Sequence, residues 1–96
     1  MPIQSFSDQK DRRFFETGKV EKGMPWANLK KIVARKLDLL DFASTLDDLK
    51  APPGNRLEAL SGNLRGYHSI RVNDQWRIVF RWSDRGPLEV RVADYH

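Results

Sequence analysis

The chain has 96 residues, a formal net charge of +4 and no cysteine. That length suits one domain, expected to be residues 1–96, with a core that is small but feasible without covalent staples. Disulfides, thiolate zinc sites and a cysteine nucleophile are excluded, so stability has to come from hydrophobic burial.

The first residues, Met1-Pro2-Ile3-Gln4-Ser5-Phe6, lack a basic stretch followed by a long apolar one, and no apolar run approaches membrane-spanning length. A cytoplasmic protein without membrane association is expected. Every lysine lies within residues 1–50, whereas the later cations are Arg56, Arg65, Arg71, Arg77, Arg81, Arg85 and Arg91. Arginine's planar fork matches phosphate oxygens better than lysine's point charge, so the second half is where a polyanion would bind. The other reading is arginine chosen for exposed strand positions.

In chain order, Ile3 to Phe6 reads as a short strand, with Ser7 or Asp8 capping a helix over residues 8–17 that carries Phe14 and Phe15 and stops at Gly18. A second helix is expected from Pro25 to about Ala43. Trp26, Leu29, Val33, Leu37 and Leu40 recur there at helical spacing, while Lys30, Lys31, Arg35 and Asp38 fall largely outside that stripe. The breaker-rich stretch from Asp47 to Asn55 separates helices from strands. Then come a short segment at Leu57–Leu60 and strands at Tyr67–Val72, Gln75–Trp82 and Leu88–Asp94, read as an antiparallel meander.

Alternation in the Gln75–Trp82 strand puts Trp76, Ile78, Phe80 and Trp82 on one face, toward the helices, and Arg77, Val79 and Arg81 on the other. A two-residue turn at Asn73-Asp74 would place Ile70 and Val72 on the arginine face, which is awkward unless a bulge or a longer turn shifts the register. The fold class is therefore α+β, with that hairpin's register open.

The chemistry-bearing candidates are Arg77 and the last three residues, Asp94-Tyr95-His96. Cleaving RNA through its own 2′-hydroxyl requires a base, an acid for the leaving oxygen and cations for the charge on phosphorus, and no metal is strictly needed. An unperturbed imidazole titrates near ~6.5, which suits His96, whereas Tyr95 would have to move from ~10. If the chain ends at His96 in the cell, the terminal carboxylate favours the protonated ring and hence an acid role. Arg77 is either a phosphate clamp or a solvated arginine. Asp94 could orient a base, pair with Arg77 or sit at a strand end.

Tyr67 and Tyr95 could stack on bases or simply pack. His68 alternates with polar neighbours and reads as a surface or edge residue. Glycine-rich phosphate loops, HExxH and GxSxG are absent, and two distant histidines argue against a metal site, so neither metal nor cofactor is expected.

Three ordered blocks carry a family resemblance: Pro52-Pro53-Gly54-Asn55-Arg56-Leu57-Glu58-Ala59-Leu60, the run from Gly66 to Phe80 that includes Asn73-Asp74-Gln75-Trp76-Arg77, and Asp94-Tyr95-His96. In these the chain resembles the HigB-like (GraT-type) plasmid-maintenance killer toxins of the RelE/ParE superfamily, over Ile3 to His96. The resemblance implies a RelE-like fold, two helices on an antiparallel sheet. It also implies a type II toxin that cleaves mRNA in the ribosomal A site, without metal, and so inhibits translation and growth.

Its implied partners are the ribosome, mRNA and a helix-turn-helix HigA-like antitoxin through which alone it would meet operator DNA; the free toxin is expected to be a monomer. The family's active-site positions fall on Arg77, which would stabilise the scissile phosphate, and on Asp94, Tyr95 and His96. RNA contacts are expected from Arg56, Ser61, Arg65, Tyr67, Arg71 and Arg81.

Two departures stand out. Many relatives carry lysine where Ser61 stands, and some carry histidine where Glu58 stands. Losing a phosphate-contacting cation weakens binding in a salt-dependent way, so a weaker toxin is expected. Glu58 is either a replacement base or a structural partner of Arg56 or Arg71. A gyrase-inhibiting ParE-like toxin, or a catalytically weak module that binds ribosome and antitoxin, are the alternative functions.

Overall fold

The computed structural model describes residues 1–94, so Tyr95 and His96 lie outside the described residues. Helix α1 spans Gln9–Thr17. Its cap is Asp8, whose carboxylate accepts from the Lys10 N–H at 2.8 Å, and it ends where Gly18 turns left-handed (φ 76°) and donates to the Phe14 carbonyl at 2.7 Å.

Helix α2 spans Lys30–Phe42 and starts later than its periodicity predicts. Residues 27–29 form a tighter 3₁₀ turn, in which the Leu29 N–H bonds to the Trp26 carbonyl at 2.8 Å, and no side chain caps the entry to either turn or helix. The breaker-rich connection is folded into 3₁₀ turns at Leu46–Lys50 and Pro53–Asn55. The first of these is closed by a capping box between Thr45 and Asp48.

Four strands follow, β1 (Glu58–Ala59), β2 (His68–Arg71), β3 (Trp76–Ser83) and β4 (Gly86–Asp94), paired antiparallel in the order β1-β2-β3-β4. The meander is therefore as read, in an α+β arrangement, although the Leu57–Leu60 segment shrinks to two strand residues.

The β2–β3 register is resolved by a loop one residue longer than the simple turn. Ile70 pairs with Ile78 and Arg71 with Arg77, while the Asn73 carboxamide oxygen accepts from the N–H groups of Gln75 (2.9 Å) and Trp76 (2.7 Å). Ile70 and Val72 are thereby returned to the core. Between β3 and β4 an extra residue on β4 shifts the pairing between Val79 and Arg81, and Glu89 adopts φ 52° there.

The helices cover one sheet face. Val33, Leu37 and Leu40 of α2 meet Ile70, Ile78, Phe80 and Val90, all fully buried, and Phe14 packs edge-on to Trp26 at 4.9 Å. Each such aliphatic side chain contributes about 1.5–3 kcal/mol by leaving water. The contacts fix which sheet face stays open.

The expected first strand is not one. Residues 3–7 run beside the outer edge of β4 with a single parallel bridge, Phe6 to Val90, and hydrogen bonds from Gln4 to Pro87 (2.8 Å), Ser7 to Val90 (3.0 Å) and Val90 to Ser5 (3.0 Å). These five residues cover the edge without forming a ladder. Where this segment turns into α1, the edge N–H of Val92 is met by a side chain instead: Asp11 Oδ2 accepts from it at 2.9 Å. Asp11 is only 3% exposed, and burial pushes its carboxyl up to about 6. The Val92 N–H acts against that shift, Asp8 reinforces it and Arg91 opposes it. No helix among the described residues is long and apolar enough to cross a membrane.

Candidate functional site

The sheet face turned away from the helices carries the arginines, because β-strand alternation puts Arg77 and Arg81 opposite the core-facing Ile78 and Phe80. In the ladder, Arg71, Arg77 and Ala93 form one row, and Glu58, Ser69, Val79 and Arg91 form the next. Arg71 and Arg77 lie directly opposite each other, a like-charge pairing that each relieves with its own carboxylate. Arg71 pairs with Asp74, and Arg77 Nη2 lies 3.7 Å from Glu58 Oε1. Glu58 thus pairs with Arg77, and neither Arg56 nor Arg71 is its ion-pair partner.

Arg77 is held more firmly than a solvated arginine. Its side chain is 12% exposed, its Nε donates to Ser69 Oγ at 2.7 Å, and its Nη2 donates to the Arg56 carbonyl at 2.6 Å. Ser69 is itself fully buried. The Arg56 carbonyl is aimed by a left-handed residue (φ 44°) that follows Asn55, whose side chain is also fully buried.

Asn55 Nδ2 donates to the carbonyls of Leu49 (3.1 Å) and Ala51 (3.2 Å), and its Oδ1 accepts from Lys36 Nζ. Burial, with Arg35 and Arg71 nearby, holds the Lys36 ammonium below the usual lysine range. A buried polar network therefore sets the loop that presents one of Arg77's acceptors. At Arg56 it is the backbone that reaches Arg77.

At the other end of the face, Arg81 lies over the Tyr67 ring, 5.2 Å from its centroid. Tyr67 donates its phenolic hydrogen to Glu89 Oε1 at 2.9 Å, and Arg81 Nε is 3.9 Å from Glu89 Oε2. Tyr67 and Arg81 are thus brought together, but with a carboxylate between them. Asp94 is in register with Trp76, one residue off the row of Arg77, and accepts from the Gln75 amide at 3.0 Å.

His68 is corrected from a surface residue to a half-buried one on the core side, paired with Phe80 and stacked on its ring at 6.2 Å. The proposed roles of Tyr95 and His96 fall outside the described residues.

Ser61, Asn63 and Leu64 form one bank of a groove of about 350 Å³, floored by the buried Val79 and bounded on the β4 side by Arg91 and Asp94. Arg65 is exposed at the end of the turn Gly62–Leu64 that shapes this bank. Ser69 and Asn55 join these residues without having been singled out from sequence, and Arg91 was named there only among the later cations, not as a site residue. Alternation in β4 points Arg91 to the open face beside Val79, and that signal could have found it. Asn55 in a run of prolines and glycine looks like an ordinary turn residue. Among the described residues, no cluster of three or more His, Cys, Asp or Glu could hold a metal ion.

Two helices on a four-stranded antiparallel sheet define a RelE/YoeB-like toxin fold. The YoeB–YefM complex from Staphylococcus aureus superposes with a TM-score of 0.56 at 20% identity, over 100% of this chain and 97% of that one. The YoeB/ParE toxin from Agrobacterium tumefaciens does so with 0.56 at 22%, over 100% of both.

Sequence narrows the class further. The family described as the RelE-like toxin of type II toxin-antitoxin system HigB matches residues 4–96. Toxin HigB-1 of Vibrio cholerae serotype O1 is 44% identical over 79 residues, 82% of each chain. The Endoribonuclease HigB of Proteus vulgaris is 32% identical over 94 residues, covering 98% of this chain and 99% of that one. The chain belongs to the HigB family of type II toxin–antitoxin toxins.

Proposed function

We propose that this toxin is a metal-independent endoribonuclease that cuts mRNA in the ribosomal A site, by attack of a 2′-hydroxyl on the adjacent phosphate, and thereby stops translation and growth. The observation that carries the reading is Arg77. A guanidinium fixed by Ser69 Oγ and the Arg56 carbonyl, on the sheet face turned away from the helices and still 12% exposed, is a cation placed before substrate arrives. Fixed charges of this kind stabilise a transition state without reorganising at the moment of reaction. The Proteus vulgaris relative's name, Endoribonuclease HigB, supports the same activity.

In this reading Arg77 holds the scissile phosphate, Tyr95 and His96 supply acid–base or positioning groups, and Asp94 orients them. Glu58 holds Arg77. Arg56, Arg65, Arg71 and Arg81 supply a cationic face along which RNA runs, with Ser61 and Tyr67 at its banks. The toxin acts as one domain in the cytoplasm, where a HigA-like helix-turn-helix antitoxin neutralises it. Its family is defined by such pairs, and the Staphylococcus YoeB toxin is seen with YefM.

The test is expression without antitoxin, followed by mapping of new 5′ ends on translated and untranslated copies of one mRNA. Cuts that need translation and vanish in Arg77→Ala and His96→Ala are expected. Intact mRNA with relaxed plasmids would replace this reading by gyrase inhibition. If mRNA and plasmids are both unchanged, the protein is a binding module.

A further inference from the structure

We propose that Arg91 is an RNA phosphate-binding residue, the cation of the groove between the turn Gly62–Leu64 and β4. It would hold the phosphate neighbouring the one held by Arg77. The inference rests on the ribonuclease reading for the identity of its ligand, and on the groove for its chemistry.

Arg91 differs from the other arginines of the open face in being uncommitted. Arg71 is paired with Asp74, Arg77 with Glu58, Ser69 and the Arg56 carbonyl, and Arg81 with Glu89 and the Tyr67 ring. The Arg91 guanidinium makes no hydrogen bond or ion pair to any described residue, although Asp11 on the far side of the β4 edge feels its charge. A partly exposed arginine without a partner among the described residues gives up little when it takes a phosphate, and its fork can bind two oxygens at once.

Position favours the same ligand. Arg91 is the ladder partner of Val79, and Arg77 is two residues from Val79 on the same face. A diagonal neighbour of this kind on adjacent strands lies about 7–8 Å away at the backbone, a separation comparable to that of successive phosphates on a single strand. The groove is also short of other cations: across it stand Ser61, a hydroxyl, and Asn63, an amide. These can donate hydrogen bonds to a ribose or a base, but they carry no charge. Among the described residues that line the groove, Arg91 is the one cation and Asp94 the one anion.

The proposal is tested with purified wild-type toxin, Arg91→Gln, Arg91→Lys, Ser61→Lys and Arg91→Gln/Ser61→Lys. Two readouts are used. One is affinity for a single-stranded RNA oligonucleotide made uncleavable by 2′-O-methylation, measured against salt. The other is cleavage of translated mRNA. Arg91→Gln should weaken oligonucleotide binding about tenfold and reduce the magnitude of the salt slope by about one. Arg91→Lys should keep the slope. Ser61→Lys should restore binding in Arg91→Gln and add much less in the wild type, a departure from additivity that marks two cations serving one phosphate.

Equal affinity and salt slope in wild type and Arg91→Gln would overturn the proposal, as would an Arg91→Gln defect confined to capture of the antitoxin. Because Arg91 makes no side-chain bond to any described residue, denaturation midpoints of the variants should match the wild type. Should the wild type bind the oligonucleotide through Arg91 yet cut no mRNA, the phosphate site stands and the ribonuclease reading falls.

Discussion

Replacing Asp11 by asparagine should make the toxin's stability less dependent on pH. The carboxyl is buried, and its folded-state value of about 6 lies above the ordinary 3.8. The folded chain therefore holds this proton more tightly than the unfolded one. The associated stability is complete below the unfolded value and is lost as pH rises through about 6. A difference of roughly two pH units corresponds to roughly 3 kcal/mol, of which about 2 kcal/mol is lost between about pH 4.5 and 7.5.

Asparagine is neutral throughout, and its Oδ1 can still accept the Val92 N–H that Asp11 accepts at 2.9 Å. The difference in unfolding free energy, Asp11→Asn minus wild type, should therefore rise by about 2 kcal/mol between those two pH values, with other titrating groups cancelling. Urea titration followed by tryptophan fluorescence measures both curves, since Trp26 and Trp76 are buried. If the difference is the same at both pH values, Asp11 does not carry a raised pKa, and the account of the β4 edge fails with it.

Three further outcomes follow from the same contacts. Asn55→Ala removes the partner of the buried Lys36 ammonium and of two carbonyls, and should cost about 3 kcal/mol in thermal or chemical denaturation, more than Lys36→Met, which removes the charge as well. Ser69→Ala should leave the fold intact but free Arg77 Nε, lowering kcat for mRNA cleavage about tenfold with little change in KM. Gly86→Ala would place a Cβ 2.5 Å from the Pro2 carbonyl oxygen at φ 121°. It should destabilise by about 2 kcal/mol and speed amide exchange at Gln4, whose N–H bonds to Pro87.

Which parts of this arrangement could be read beforehand follows from the range of the interactions. The α2 stripe and the β3 alternation are local periodicities, so Val33, Leu37, Leu40, Ile78 and Phe80 fall into the core as expected. The β2–β3 register depends on one carboxamide, that of Asn73, choosing to bond two N–H groups. The alternation alone shows only that a two-residue turn is awkward. The first strand failed because residues 3–7 form their contacts with the last strand, more than eighty positions away, where a parallel bridge and Asp11 share the edge.

For the site, Arg77 and Glu58 were legible as types at plausible places, but their pairing was not. Nothing in the sequence shows that Lys36, on the helix, and Asn55, in a turn, bury each other behind the Arg56 carbonyl.

The pairing of Glu58 with Arg77 leads to a different role for Glu58 from that of a base. Two of Arg77's three acceptors cannot leave, because one is the buried Ser69 hydroxyl and the other is a backbone carbonyl. The third, Glu58, is 54% exposed and 3.7 Å away, a loose and water-screened contact contributing under about 1 kcal/mol. If Arg77 takes a phosphate as proposed, the phosphate meets that carboxylate as a competitor, and displacing it costs little. Under the proposed function, Glu58 would occupy the anion position beside Arg77 in the free protein until RNA replaces it, while Ser69 and the Arg56 carbonyl hold the guanidinium. Glu58→Gln should tighten substrate, lowering KM up to about fivefold with kcat nearly unchanged, since removing under 1 kcal/mol of competition cannot do more. A general base removed in the same way would instead lower kcat by about a hundredfold or more. A kcat loss of that size in Glu58→Gln would assign Glu58 to proton transfer instead.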